Sequence, residues 1–326
     1  LVIERPADDQ VWTSYGLLLK GQKRFDDAAD AFRGALAHTD DPAVRNALVT
    51  SLWQGDRHDE AIAEGRINLA LKDKLAHERF AASPFSSYRL SDKRPTFHPD
   101  NRSRNIIAFS LWGDIPAYVP GAIVNAQIAQ HIYVGWTARF YCDTSVPADA
   151  REELKRHGAQ VIVLDDPQLQ RIRPMWRFLA SDDPDVDFFV CRDTDSRLNV
   201  QEFLAVHDWV NSGRRFHVMR DHIYHMELVL AGMWGGTAGV LPNIRDWLLG
   251  ASDYFDNRFG DQAFLMDMVW PLIKPDLRTH DSVYGFPDGV DFPGDYRLPG
   301  AIHVGGAVKT MPHWRREQKT ITARIR

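Results

Sequence analysis

Residues 8 to 72 place apolar side chains three or four positions apart, the spacing of amphipathic helices joined by short turns. Trp12, Tyr15, Gly16 and Leu19 lie on the first such stretch, and Phe25, Ala28, Phe32 and Ala35 on the second, so large and small residues alternate on the faces that meet. The pattern then recurs. Arg24-Phe25-Asp26-Asp27-Ala28-Ala29 returns as Arg57-His58-Asp59-Glu60-Ala61-Ile62, and Gly21 returns as Gly55, an offset of 33 or 34 residues. The second copy is weaker, because Gly65 and Asn68 stand where bulky and small apolar residues are expected. Two such units rarely bury a stable core alone, so the pair must continue upstream or pack on the next domain of the chain. The chain opens on Leu1 rather than Met, which predicts further sequence upstream.

The pattern changes past residue 104. Ile106 to Leu111, Ala138 to Cys142, Gln160 to Leu164 and Val186 to Cys191 are short apolar runs with the character of strands. Residues 119–131, 148–157 and 173–180 between them have helical spacing. Strands alternating with helices predict a mostly parallel sheet with helices on both faces. The expected division is helical repeats over 1–80, a Ser-, Pro- and Arg-rich linker over 81–103, and an α/β domain over 104–326.

Composition narrows the function classes. The chain has 326 residues, 44% of them hydrophobic and 25% charged, the balance of a soluble globular protein. A net charge of −5 lacks the basic field of a nucleic-acid binder. A local basic run, His313-Trp314-Arg315-Arg316 to Arg326, fits a solvated tail, with contact to phosphate or an anionic membrane surface as the minority reading. Cys142 and Cys191 both sit in apolar strands and fit buried thiols of a reducing compartment. No window approaches the ~18 apolar residues of a membrane span. The expected location is cytoplasmic, with peripheral contact at the inner membrane face as the lesser alternative.

Ligands of parallel sheets sit beyond the carboxyl ends of the strands. Phe109-Ser110-Leu111-Trp112-Gly113-Asp114 and Asp193-Thr194-Asp195 both fall there. Asp-x-Asp occurs three times, at Asp183/Asp185, Asp185/Asp187 and Asp193/Asp195, and only the last follows an apolar strand directly. Two carboxylates on an extended end can converge on a hard cation such as Mg²⁺ or Mn²⁺, which bridges the phosphates of a nucleotide diphosphate. Turn capping and ion pairs with Arg192 and Arg197 are the competing use of the same residues. His222 and His225 are three apart, but no thiol or histidine pair lies near them in sequence, which argues against zinc. Arg220-Asp221-His222 follows a strand over 216–219 and fits either acceptor binding or a structural polar cluster. No Gly-rich dinucleotide or phosphate loop is present.

Two resemblances add to this reading. The order Trp, Leu-Gly, Tyr and then aromatic, Ala, aromatic, Ala over residues 8–72 resembles the tetratricopeptide repeat, which implies a surface for a protein partner or an acceptor, or a structural cap. Met175-Trp176-Arg177-Phe178-Leu179, followed by the strand and Asp193-Thr194-Asp195, resembles GT-A glycosyltransferases of the retaining group that includes glycogenin and the lipopolysaccharide galactosyltransferases. Leu230-Ala231-Gly232-Met233-Trp234-Gly235, Gly260-Asp261-Gln262 and His303-Val304-Gly305-Gly306-Ala307-Val308-Lys309 resemble that family's later motifs, in the family's order. Departures are Cys191-Arg192 before the aspartates, Ala231 in the sugar-pocket motif, and Pro312 and Trp314 displaced from Lys309.

This second resemblance implies a metal held by Asp193, Asp195 and His303, as Mn²⁺ or Mg²⁺. It implies a nucleotide-sugar donor, a UDP sugar first, contacted by Phe109, Ser110, Trp112, Asp114, Arg177, Asp193, Gly306 and Lys309. Arg177, Asp261 and Gln262 become the catalytic candidates, orienting donor and acceptor. Arg177 pairing with Asp182 or Asp183, Asp261 as a helix cap and Trp112 as core packing are the ordinary alternatives. The expected activity is retaining transfer of a sugar to a glycan, lipid-linked or protein acceptor. Two rivals stay open: a repeat scaffold with an inactive transferase-like domain, and a metal-dependent nucleotidyltransferase.

Overall fold

A computed structural model of the chain describes residues 7–254, 259–299 and 302–308. Lys309, Pro312, Trp314 and the basic run to Arg326 lie outside the described residues.

Four helices come first: α1 (Asp9–Gly21), α2 (Phe25–Leu36), α3 (Pro42–Gln54) and α4 (His58–Ala82). Asp8 caps α1 by accepting from the Gln10 and Val11 amides, and Asp41 caps α3 just ahead of Pro42. The alternation of large and small residues is steric. A Cβ on Gly16 would come within 2.7 Å of the Phe32 ring, and one on Gly34 within 2.7 Å of Trp12. The repeat is visible in the backbone as well. Lys23 (φ 61°) and Asp56 (φ 59°), 33 residues apart, take the same left-handed turn. The next amides close it alike, Arg24 onto Leu19 O (3.0 Å) and Arg57 onto Leu52 O (2.9 Å).

The two residues that weaken the second copy as a repeat have other work. Asn68 donates to Pro42 O (3.0 Å) and Asn46 Oδ1 (2.7 Å). Gly65 lets Tyr284 approach so closely that a Cβ would stand 2.1 Å from its ring. The end of α4 is likewise fixed to the α/β part of the chain. The buried Lys72 donates to Glu227 Oε1 and Met226 O, both at 2.7 Å, and Asp73 accepts from Trp270 Nε1 (2.7 Å) and Lys274 Nζ (2.6 Å). Residues 83–101 are irregular and run over the surface, tied down by Ser91 to Val240 O and by Arg94 to Asp276.

The remainder is a seven-stranded sheet: β1 (Asn105–Leu111), β2 (Thr137–Cys142), β3 (Gln160–Val163), β4 (Phe188–Arg192), β5 (Phe216–Arg220), β6 (Trp234–Thr237) and β7 (Leu277–Asp281). Its order is β3-β2-β1-β4-β6-β5-β7, with β6 antiparallel to both neighbours and every other pairing parallel. Alternate residues of β1 enter different cores. Ile107, Phe109 and Leu111 pack with α5 (Val119–Ile132), α6 (Ala148–Arg156) and α7 (Val200–Asn211). Ile106 and Ala108 face the other layer, which is continuous with α1 to α4 and includes α8 (Ile244–Gly250), α9 (Gly260–Phe264) and α10 (Trp270–Ile273). A π turn, Leu265–Val269, joins the last two.

Four elements differ from the expectation. The helix expected at 173–180 is part of a 3-10 run over Leu169–Ser181, broken at Ile172 ahead of Pro174. The strand expected from Val186 begins at Phe188, and the Asp187 carboxylate just before it is held by Arg104 at 2.7 Å. Helix α7 and strand β7 are not among the expected elements. Cys142 and Cys191 are free and buried, and burial pushes their thiols up to about 11 and about 12. Among the described residues no helix is long and apolar enough to cross a membrane.

Candidate functional site

Every strand except β6 ends on one edge of the sheet, and the candidate residues gather there. After β4 the chain turns through Asp193-Thr194-Asp195-Ser196. Ser196 Oγ donates back to Asp193 O (2.8 Å), and Asn125 of α5 donates to Ser196 O (3.0 Å) while accepting from the Leu198 amide (3.3 Å). The loop that carries both aspartates is therefore fixed from two sides. Gly121 belongs to the same device, since a Cβ there would stand 2.4 Å from Thr194 O.

Arg177 is the centre of the arrangement. It comes from the 3-10 run beneath the edge, and its backbone amide donates to Ser110 Oγ (2.9 Å), which in turn donates to Pro174 O (3.1 Å). Its guanidinium is buried and forks between two carboxylates: Nη1 donates to Asp193 Oδ1, and Nη2 lies 3.1 Å from Asp261 Oδ2. Burial opposes the arginine's charge, but Asp193 and Asp261 hold its pKa above the ordinary guanidinium value. Burial is also the main influence on Asp261 and raises its pKa, with Arg177 opposing and Asp193 adding to the rise. Asp182 and Asp183, the surface partners weighed for Arg177, are engaged elsewhere: Asp182 accepts from the Ile244 and Arg245 amides, and Asp183 pairs with Arg139.

Ser110, Trp112, Tyr118, Arg177, Asp193 and Asp261 line a cavity of about 130 Å³. Trp112 is partly buried and meets Trp176 edge-on at 6.2 Å, so packing and cavity lining coexist in one ring. Phe109 is different. It is fully buried and stacks on Phe140 at 4.7 Å, on the face of the sheet covered by α5. Asp114 lines a separate groove of about 290 Å³ against α5 and α6. The Gln262 amide donates to Asp261 Oδ1 (2.9 Å), and Gln262 Oε1 is buried without a hydrogen-bond partner.

No protein-family model matches this chain, and no curated protein matches it. Solved structures similar to it include glucosyl-3-phosphoglycerate synthase from Mycobacterium tuberculosis in complex with Mn²⁺, uridine diphosphate and phosphoglyceric acid. That pair is 12% identical with a TM-score of 0.29, over 47% of this chain and 64% of that one. The same synthase with Mn²⁺, UDP-glucose and phosphoglyceric acid gives 12% and 0.33, over 71% and 87%. A variant of the Thermobaculum terrenum O-GlcNAc transferase gives 14% and 0.26, over 59% and 40%. The chain thus spans less than two thirds of the first of these. The chemistry of the site is argued from this chain's own residues.

The segment 302–308 returns to the same edge. The Val308 amide donates to Asp195 O (2.8 Å), and the Val304 amide to Asp221 Oδ2 (2.9 Å). Gly305 (φ 72°) makes the turn, and the Gly306 amide closes onto His303 O (3.0 Å). His303, expected as the third ligand beside Asp193 and Asp195, is directed instead to the loop after β5. Its ring stacks on His222 at 4.4 Å and meets His225 edge-on at 4.7 Å. Burial pulls His222 down to about 4 and lowers His225, against the raising influence of Asp221. Among the described residues, Asp221, His225 and His303 are the one trio of metal-ligating side chains whose donor atoms all lie within 4.8 Å of one another. The sequence displays His222 and His225 side by side but no further ligand near them. The further ligand is His303, some 78 positions later, and only the fold brings it in.

Proposed function

We propose that this chain is a metal-dependent glycosyltransferase that uses a nucleotide sugar, a UDP sugar first, and retains the anomeric configuration. One observation carries the reading: the buried Arg177 clamped between Asp193 and Asp261 at the carboxyl edge of a mostly parallel sheet. A buried arginine shared by two carboxylates from distant elements is costly to assemble for stability alone. It gives both acids fixed directions at the position where ligands of such sheets bind.

Asp193 and Asp195 suit a hard divalent cation. Asp193 commits one oxygen to Arg177 and turns the other over Gly232, and its side chain stays 42% exposed. A cation there supplies Lewis-acid neutralisation of a departing nucleoside diphosphate. Arg177 orients Asp193 and Asp261 through charge-assisted hydrogen bonds. Asp261 and Gln262 stand on the far side of Arg177, where a carboxylate and an unpartnered amide oxygen can hold sugar hydroxyls and favour positive charge at the anomeric carbon. Trp112 and Ser110 wall the cavity and exclude water beside the reacting centre. The acceptor is a glycan, a lipid-linked sugar or a protein, and the helices before the sheet offer a surface for it.

Calorimetric titration with UDP in the presence of Mn²⁺ tests the reading. Metal-dependent binding that weakens in Asp193→Asn supports it. Absence of UDP binding turns the assignment toward a scaffold without transferase activity.

A further inference from the structure

We infer that Asp221, His225 and His303 form a binding site for a divalent transition metal, distinct from the aspartate pair after β4, that pins the segment 302–308 onto the loop following β5. The inference stands on these side chains alone and holds whether or not the chain transfers sugars.

The donor atoms of the three side chains all lie within 4.8 Å of one another, close enough for small side-chain movements to bring them onto one ion. Asp221 has 6% of its side chain exposed. Its Oδ2 is taken by the Val304 amide at 2.9 Å and Gln201 Nε2 at 3.2 Å, whereas its Oδ1 is buried and accepts no hydrogen bond. A buried carboxylate oxygen without a donor costs on the order of 1–3 kcal/mol unless something positive meets it. That oxygen lies 3.3 Å from His225 Nδ1. Two ligands of a tetrahedral centre with bonds of ~2.0–2.1 Å stand roughly 3.3 Å apart. The Asp221 amide, 3.2 Å from the same imidazole nitrogen, is the weak partner that a cation displaces.

His303 completes the set from a different segment. Its Nδ1 lies 3.1 Å from Val304 O. A carbonyl can only accept, so Nδ1 carries the proton and Nε2 keeps its lone pair, the tautomer of a metal ligand with an outer hydrogen bond. His222 is not part of the set: its Nδ1 faces the Tyr224 amide at 3.3 Å, and its ring serves as a platform under His303.

Two imidazoles and one carboxylate select the class of ion. Mg²⁺ and Ca²⁺ prefer all-oxygen surroundings, whereas nitrogen ligands favour Zn²⁺, Co²⁺, Fe²⁺ or Mn²⁺. Three protein ligands leave at least one coordination position for water or an oxyanion.

Metal-free full-length protein is titrated with Co²⁺ without nucleotide, following visible absorption and the melting midpoint. The inference expects one equivalent with an imidazole-bound cobalt spectrum, a raised midpoint, displacement by Zn²⁺ and none by excess Mg²⁺. His225→Gln and His303→Gln should each weaken Co²⁺ binding by at least about tenfold, and Asp193→Asn/Asp195→Asn should leave it intact. His303 lies on an irregular segment, so His303→Gln reads the site without touching the sheet. Equal Co²⁺ affinity in wild type and His303→Gln, no spectral change at all, or loss of the spectrum in the Asp193/Asp195 variant overturns it. Failure of UDP binding alone leaves it standing.

Discussion

Gly232 and Asp193 share one small volume: a Cβ on the glycine would stand 2.1 Å from Asp193 Oδ2. The atom in the way is the end of a side chain, so Gly232→Ala is accommodated by moving the carboxylate. We expect Gly232→Ala to fold with less than about 1 kcal/mol lost and to lower nucleotide-sugar turnover by roughly a hundredfold, the cost of an ångström-scale misplacement. Gly235→Ala is the contrast, because its Cβ would meet Phe189 O of the neighbouring strand at 2.5 Å. That backbone cannot step aside, and about 1–3 kcal/mol of stability should be lost. Denaturant melts and turnover measured on both variants separate the two effects.

Arg177→Lys keeps the charge but replaces a planar fork with a single ammonium, which cannot serve Asp193 and Asp261 in the observed directions. Turnover should fall by roughly a hundredfold with the fold retained. Arg177→Ala leaves Asp261 buried beside Asp193 without compensation, so a loss of about 3–5 kcal/mol should appear in urea melts.

The range of each interaction decides whether the sequence discloses it. Strands β1 and β4 announce themselves because most of their residues are apolar on both faces, one face for each core, and β2 because Ala138, Phe140 and Cys142 line one face. Lys23 and Asp56 lie at matching places in a repeat that composition already exposes. Strand β7 is Leu-Arg-Thr-His-Asp, whose Arg278 and His280 face Asp208 of α7 and whose Asp281 meets Arg220 of β5, so its alternation of apolar and polar residues does not mark it as a strand. Arg177 is legible as a functional candidate, but its link to Asp261, 84 positions away, is a property of the fold. Gly65 and Asn68 resemble decay of a repeat because their partners, Tyr284 and the start of α3, are distant in sequence. The trio around His303 is hidden for the same reason.

The interface between the helices and the sheet gives a stability prediction. Lys72 is 4% exposed at its side chain and donates to both Glu227 and Met226 O. Lys72→Ala strands those acceptors and should cost about 2–3 kcal/mol. Because the apolar core is continuous from α1 to α10, unfolding should remain a single transition by circular dichroism and tryptophan fluorescence.

Acid should destabilise the protein through a buried histidine pair remote from the candidate site. His217 Nε2 and His280 Nδ1 are 2.8 Å apart. Burial lowers both, His217 well below its ordinary value and His280 to about 4. In the unfolded chain both take up protons near pH 6.5, so between about pH 6.5 and pH 4 the unfolded state binds more protons and stability falls as pH falls. The midpoint should be level above that window. His217→Phe, which keeps the stack on Trp209 without titrating, should make the decline shallower.

The most direct test is hydrolysis of a panel of nucleotide sugars by the full chain with Mn²⁺, run in parallel on wild type and Asp195→Ala. Metal-dependent release of a nucleoside diphosphate from at least one donor, abolished in Asp195→Ala, is the predicted result. Wild-type hydrolysis that persists undiminished in Asp195→Ala, or no release from any donor, contradicts the account.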